Sequence, residues 1–294
     1  MSIKKSLLLF ALMMSISVKA NEVIHFMPTE DAGDDRLAYI LDIIKLSLEK
    51  TGIQSEAIDF KPLPSNVSFA RAIHELKRDI YPNYFSPGGI NIELTGTENL
   101  ISVDFPLDHG LQSYRICFVS PKSEKQVSMA ASIDDLKKFT IAQGLNWPDV
   151  PILKANGFKV IEVPLYTSLF KMVVSNRVDL VCRGVNELRR ENERYSYYGN
   201  LIYDKSFVLI YPMPYKLYFN QSSAVLVTRI EKGLAIARQD GSLKELFLHY
   251  YAKDLSFAEL EKRKQFILKS GYEDSFSENY KRFLYDPFSE QLSE

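Results

Sequence analysis

The feature that most constrains this chain is an alternation, run through twice, of short apolar stretches with longer stretches whose apolar residues recur every three or four positions. The first series reads strand (22–28), helix (36–52), strand (56–63), helix (66–79) and strand (80–85), with "SPGG" (86–89) as a turn. Ile40, Ile43, Ile44 and Leu48 fall on one face of the first helix, and Gly52 stands at its stop. Phe69, Ile73 and Leu76 do the same for the second helix. Strand-like runs at 99–107 and 114–120 lead into the second series. That series reads helix (132–138), strand (139–144), helix (147–157), strand (159–164), helix (167–176) and strand (178–182). A strand-like stretch at 205–220, broken by Pro212 and Pro214, precedes a helical tail at 223–241, 242–253, 256–271 and 277–284. Ser256 and Glu259 have the spacing of a capping pair. Strands alternating with helices predict an α/β chain with parallel sheets. Two series and a helical tail predict two lobes, with ligands bound in the crevice beyond the carboxyl ends of strands.

The first 20 residues read as an export signal. Lys4 and Lys5 precede a mostly apolar run, Ser6 to Val18, and Val18 and Ala20 fit the small-residue pattern before a cut after Ala20. A run this short falls under the roughly 20 residues a bilayer span needs. The expected location is the periplasm of a two-membrane bacterium. Residues 21–294 then hold 33 basic and 37 acidic side chains, a formal charge of −4. That balance argues against a nucleic-acid partner, which asks for a basic face. Cys117 and Cys182 both lie in apolar strand-like runs, and a disulfide and two buried thiols are both compatible with that placement. The four histidines, His25, His74, His109 and His249, have no metal-ligand spacing, so neither a metal nor a cofactor is expected.

No nucleophile elbow, phosphate loop, dinucleotide fingerprint or metalloprotease motif is present. The acidic pairs at 34–35 and 134–135 precede helices and read as first-turn acids. The stretch "NRVDLVCRGVNE" (176–187) is the most suggestive, because a buried strand ends by delivering Arg183 beside Gly184. A guanidinium there suits a carboxylate or phosphate ligand, and the glycine admits a close approach. The alternative is an arginine paired with Glu187 or solvated. Arg115, inside the apolar "YRICFV", needs solvent or a partner, so it sits at a cleft edge or in an interlobe salt bridge. Trp147, in a strand-to-helix loop, reads as a ligand-stacking ring or as packing. Tyr84, Phe85 and Tyr166 are candidate cleft walls by the same loop logic, or core filler.

The order "SVDFPLDHGLQSYRICFVSPKS", "SIDDLKKFTIAQG", "VVSNRVDLV" and a helix ending in "DG" resembles the bacterial extracellular solute-binding proteins of family 3, across nearly all of residues 21–294. The resemblance implies the type II periplasmic-binding-protein fold: two mixed sheets flanked by helices and joined by two hinge strands, near 113–118 and 214–219. Lobe one would take 21–113 and 220–294, and lobe two 114–219. It implies a monomer that closes on a small polar or anionic ligand and presents it to a membrane permease for ABC-type uptake. The alternative is a co-receptor for a membrane sensor protein, and a further one an enzyme such as a dehydratase on the same fold. No catalytic residue is expected. The ligand residues would be Arg183, Gly184, Arg115, Trp147, Tyr84 and Phe85. Two features of the family's amino-acid binders are replaced. The arginine that grips the α-carboxylate has Asn99 or its neighbours at its place, and the aspartate for the α-amino group has Arg183 and Gly184. A standard zwitterionic amino acid is therefore not the expected ligand. "WPDVPILKANG" and "RGVNE" resemble phrases of a proteobacterial branch of the family.

Overall fold

The computed structural model describes residues 22–28, 35–64, 69–89, 99–288 and 291–292. The export-signal reading and Asn99's upstream neighbours lie outside these residues. Two sheets organise the chain. The first is built from β1 (Glu22–Phe26), β2 (Ile58–Pro62), β3 (Phe85–Gly89), β4 (Leu100–Ser102) and β11 (Tyr215–Asn220), in the order β2-β1-β3-β11-β4. The crossovers α1 (Asp35–Lys50) and α2 (Phe69–Lys77) make β1 parallel to β2 and to β3, whereas β11 returns antiparallel.

The second sheet collects β5 (Tyr114–Val119), β6 (Thr140–Gly144), β7 (Lys159–Val163), β8 (Leu180–Gly184), β10 (Phe207–Ile210) and β12 (Lys264–Ile267), with the short β9 (Ile202–Tyr203) on β5. Between these strands lie α3 (Glu124–Ser128), α4 (Ile133–Leu136), α5 (Asp149–Ala155), α6 (Tyr166–Val174) and α7 (Val185–Tyr195). The tail supplies α8 (Ala224–Gln239), α9 (Ser242–Ala258), α10 (Glu278–Lys281) and a two-residue pairing of β13 (Tyr285–Asp286) with β14 (Gln291–Leu292).

Each sheet has its own core, as expected for two lobes. Ile24, Phe85, Phe219 and Leu217 pack under Ile40, Ile43 and Ile44 of α1 and Ile230 and Leu234 of α8. Cys117, Cys182, Ile141 and Leu209 form one face of the second sheet's core, and Ile116, Val181, Phe118 and Phe170 the other. Cys117 and Cys182 are direct cross-strand partners on β5 and β8 and are joined by a disulfide. The acidic pair at 134–135 caps a helix: Ser132 and Asp135 bond reciprocally at the start of α4.

Three segments differ from the sequence reading. The third strand lies at 85–89 rather than 80–85, so "SPGG" is strand, its backbone paired with Tyr215–Tyr218 of β11. The capping pair at Ser256 and Glu259 starts no helix. α9 runs through Ser256 to Ala258, Glu259 turns left-handed (φ 45°), and "KQFI" becomes β12. The boundary of lobe one changes with it. β12 lies parallel to β10 in the second sheet, so residues 220–294 do not stay with the first. Arg263 fixes this crossing by donating to the carbonyls of Ala258 and Asp204 at 2.6 Å and Phe207 at 3.2 Å. The chain then returns, placing Phe283 and Tyr285 in the first core and Tyr285 N 2.9 Å from His109 O. Besides the two expected connections, β4 to β5 and β10 to β11, the tail thus makes two more crossings.

Candidate functional site

The register of β5 against β8 assembles the site. Their antiparallel pairing sets Arg115, near the start of β5, opposite Gly184, the last residue of β8. α7 follows without a loop, so its first two turns project carboxylates back over the strand end. Arg183 Nε donates to both oxygens of Glu191 at 2.9 Å, and Nη2 to Glu187 Oε1 at 2.7 Å. These acids lie four and eight residues on, one helical turn apart on α7. The Trp147 ring centroid lies 4.4 Å from the guanidinium carbon and that of Tyr166 5.5 Å, and the Tyr166 hydroxyl donates to Glu191. Trp147 fits because Gly144 has no side chain: a Cβ there would meet the indole at 2.1 Å.

Arg115 is equally buried. Its Nε lies 3.1 Å from Asp149 Oδ1 without hydrogen-bond geometry, while Nη2 donates to Oδ2 at 3.4 Å and Nη1 stands 3.6 Å from Glu187. Tyr211 donates its hydroxyl to the same aspartate at 2.6 Å. Gly184 is close-packed by its neighbours: a Cβ would lie 2.6 Å from Asn186 Oδ1 and 3.0 Å from Arg115 Nη1.

The expected anion clamp is therefore filled by the protein. Three guanidiniums, of Arg36, Arg115 and Arg183, meet three carboxylates, of Asp149, Glu187 and Glu191. Burial works against the charge of Arg183, yet Glu187 and Glu191 hold it well above the usual arginine range. Burial also raises Glu187, but Arg183, Arg36 and Arg115 outweigh it and pull its carboxyl below the usual range. Glu191 goes the other way, because its burial is only partly offset by Arg183.

Sequence reasoning brought Arg183, Gly184, Arg115 and Trp147 to one place, and the structure keeps them together. Tyr84 and Phe85 are corrected. Tyr84 is buried against Leu63, Ile73 and Tyr218, and Phe85 against Phe219, so both fill the first lobe's cores and neither walls a cleft. Among the groups missed, Glu191 was visible in the one-turn spacing of "RGVNELRRE". Arg36 was not, because its role depends on how the lobes face one another. It leaves the first turn of α1 and meets Glu187 Oε1 of the second lobe at 2.8 Å. Beside this contact lies a cavity of about 10 Å³, lined from both lobes by Arg36, Tyr39, Ile40, Leu107, Asp108, Asn186, Tyr215 and Tyr251.

Comparison with solved structures decides the architecture. The glutamate-bound ligand-binding core of GluR0 aligns over 80% of this chain and 99% of its own, at 14% identity and a TM-score of 0.55. An ancestral arginine-binding protein bound to arginine aligns over 78% and 97%, at 17% identity and a TM-score of 0.51. A histidine kinase sensor domain similar to periplasmic binding proteins aligns over 79% and 97%, at 15% identity and a TM-score of 0.52. The fold is that of the two-lobed periplasmic binding proteins. At these identities the likeness to the periplasmic-binding-protein fold is one of architecture. No family model and no curated protein matches the sequence. Among the described residues no helix is long and apolar enough to cross a membrane.

Proposed function

We propose that this chain is a periplasmic solute-binding protein that closes its lobes on a small polar ligand and offers the closed form to a membrane partner. The observation that carries this reading is the meeting of both lobes, through Arg36 and Glu187, at the carboxyl end of β8. Open α/β sheets bind ligands beyond those strand ends. Arg36 is 41% exposed, and such a pair contributes about 0–1 kcal/mol. A ligand of ordinary affinity is enough to displace it. The cavity beside it has room for about one water, so binding requires the lobes to part and close again. The lobes would be the described residues of 22–113 with β11 and most of the tail after it, and 114–214 with β12. Delivery to a permease is the first reading of the partner. A sensing role is the second, supported by the fold shared with a histidine kinase sensor domain. Binding without chemistry fits the way Glu187 and Glu191 are held by guanidiniums.

A thermal-shift screen of small polar metabolites, followed by small-angle scattering with each hit, tests the reading. The expected result is a ligand that raises the melting temperature and changes the radius of gyration. A screen in which no solute does either would overturn it, and a hit converted to product in a mass spectrum would make the protein an enzyme.

A further inference from the structure

The helix α9 is seated in both lobes. Its 17 residues, with no glycine or proline among them, span about 25 Å. In its first half Leu243, Phe247 and Tyr251 lie in the first lobe's core, and the Tyr250 hydroxyl donates to Asp42 of α1 at 2.6 Å. At its far end Ala258 lies in the second lobe's core with Leu260 just beyond, and the Phe257 ring stands 5.0 Å from that of Tyr203 on β9. Leu255, between the halves, packs against both cores. Next to it Asp254 is 1% exposed. Its Oδ1 accepts a hydrogen bond from Arg189 Nε of α7 at 2.7 Å, and Arg190 Nη2 lies 3.8 Å from its Oδ2. Arg263 and β12 then fix the following segment to the second sheet.

Two strand connections alone would let the lobes swing apart as jaws. A helix shared by two cores does not allow that along its own length. Parting the lobes there would draw Leu255 and Ala258 out of the second core and pull Arg189 off a buried carboxylate, leaving the charge of Asp254 stranded. Bending α9 is no easier, because sharp helix kinks arise mostly at proline or glycine. Turning about the helix moves these contacts least and the far sheet edges most. In the second sheet β12, which follows α9, and β7 are opposite edges, and in the first sheet β2 is the edge remote from the connecting strand β11. We infer that α9 is the pivot of the lobe motion and Asp254 the clasp that holds it to α7, so that the cleft widens at the β2 and β7 edges while the α9 side stays joined. The inference rests on the solute-binding reading above and states how the cleft of that reading opens. It adds a rigid third member to the expected hinge of two strands.

The test is a pair of spin-label distance measurements on the full chain. Cys117 and Cys182 are buried and bonded to each other, so introduced cysteines alone take the label. Lys61→Cys with Leu165→Cys places labels at exposed positions at the carboxyl ends of β2 and β7. Glu49→Cys with Ser196→Cys places them at exposed positions on α1 and just past α7, the helices that pack on α9. The first distance distribution is expected to be several times wider than the second, and to shift with any solute that raises the melting temperature while the second stays put. Asp254→Asn keeps the shape of the clasp and removes its charge, and it is expected to widen the second distribution. Arg189→Gln removes the same contact from α7 and replaces it in the test if Asp254→Asn fails to fold. Hydrogen exchange supplies an independent reading, since the amides of Tyr250 to Ser256 should be among the slowest in the chain. A second distribution as wide as the first in the unaltered clasp, one unchanged in both clasp variants, or a fast-exchanging centre of α9 would each overturn the pivot and leave the solute-binding reading standing. Two narrow distributions that respond to no screened solute would overturn the lobe motion itself, and that reading with it.

Discussion

Arg183 shows how far a single residue can be read from its neighbours in sequence. The strand end, the adjacent glycine and the candidate partner Glu187 were all legible in "RGVNE". The balance between ligand clamp and internal ion pair was not, because it depends on Glu191 and Trp147 closing over the same guanidinium. Removing one member of a buried pair leaves the other charge stranded. Arg183→Ala is expected to cost about 3–5 kcal/mol of stability in a denaturant melt, since Glu187 and Glu191 would lose their shared partner. A second residue-scale prediction concerns the adjoining pair Asp108 and His109. Burial raises Asp108 from 3.8 to about 6, so its folded form binds the extra proton and stability falls as pH rises through that window. Burial lowers His109 from 6.5 to about 4, so its unfolded form binds the extra proton and stability rises with pH between those values. The two slopes oppose each other in the wild type. Asp108→Asn removes the first, so its melting temperature relative to wild type should climb between about pH 4 and pH 6. A constant difference across that range would show that the carboxyl is not perturbed.

Among the elements, those with a strong period were legible, and those set by partners were not. α1, α8 and the strands β5, β6 and β7 fall where apolar spacing put them. Residues 85–89 contain a proline and two glycines, a turn by local preference, yet β11 pairs with their backbone and makes them a strand. In "KQFI" only Phe266 is buried, with Lys264, Gln265 and Ile267 exposed, so no alternation marked it as a strand against the capping spacing at Ser256 and Glu259. Two predictions belong to this scale. The Cys117–Cys182 bond closes a loop with a sequence separation of 65, and such a crosslink stabilises by about 2–4 kcal/mol. Cys117→Ser with Cys182→Ser, or full reduction, should lower the denaturation midpoint accordingly. α1 and α8 touch at Gly233, where a Cβ would lie 1.8 Å from the Ser47 carbonyl oxygen. Gly233→Ala must push these helices apart, and a loss of about 1–3 kcal/mol or more in a thermal melt is expected.

At the scale of the molecule, the sequence pattern announced two lobes, but the route of the tail was hidden. Whether β12 belongs to one sheet or the other is decided by Arg263 and by the open edge of β10, which no local pattern encodes. Ending the chain after Glu259 would strip β10 of its parallel neighbour and leave an unpaired edge. Such an edge is a template for association with other copies. The shortened protein should elute as aggregate in size-exclusion chromatography, whereas the full chain should not. Four passages between the lobes also bear on ancestry and engineering. Neither half is one uninterrupted stretch of gene, so neither can be transplanted as a cassette, and any chimera made by joining halves of related receptors must splice at four seams at once.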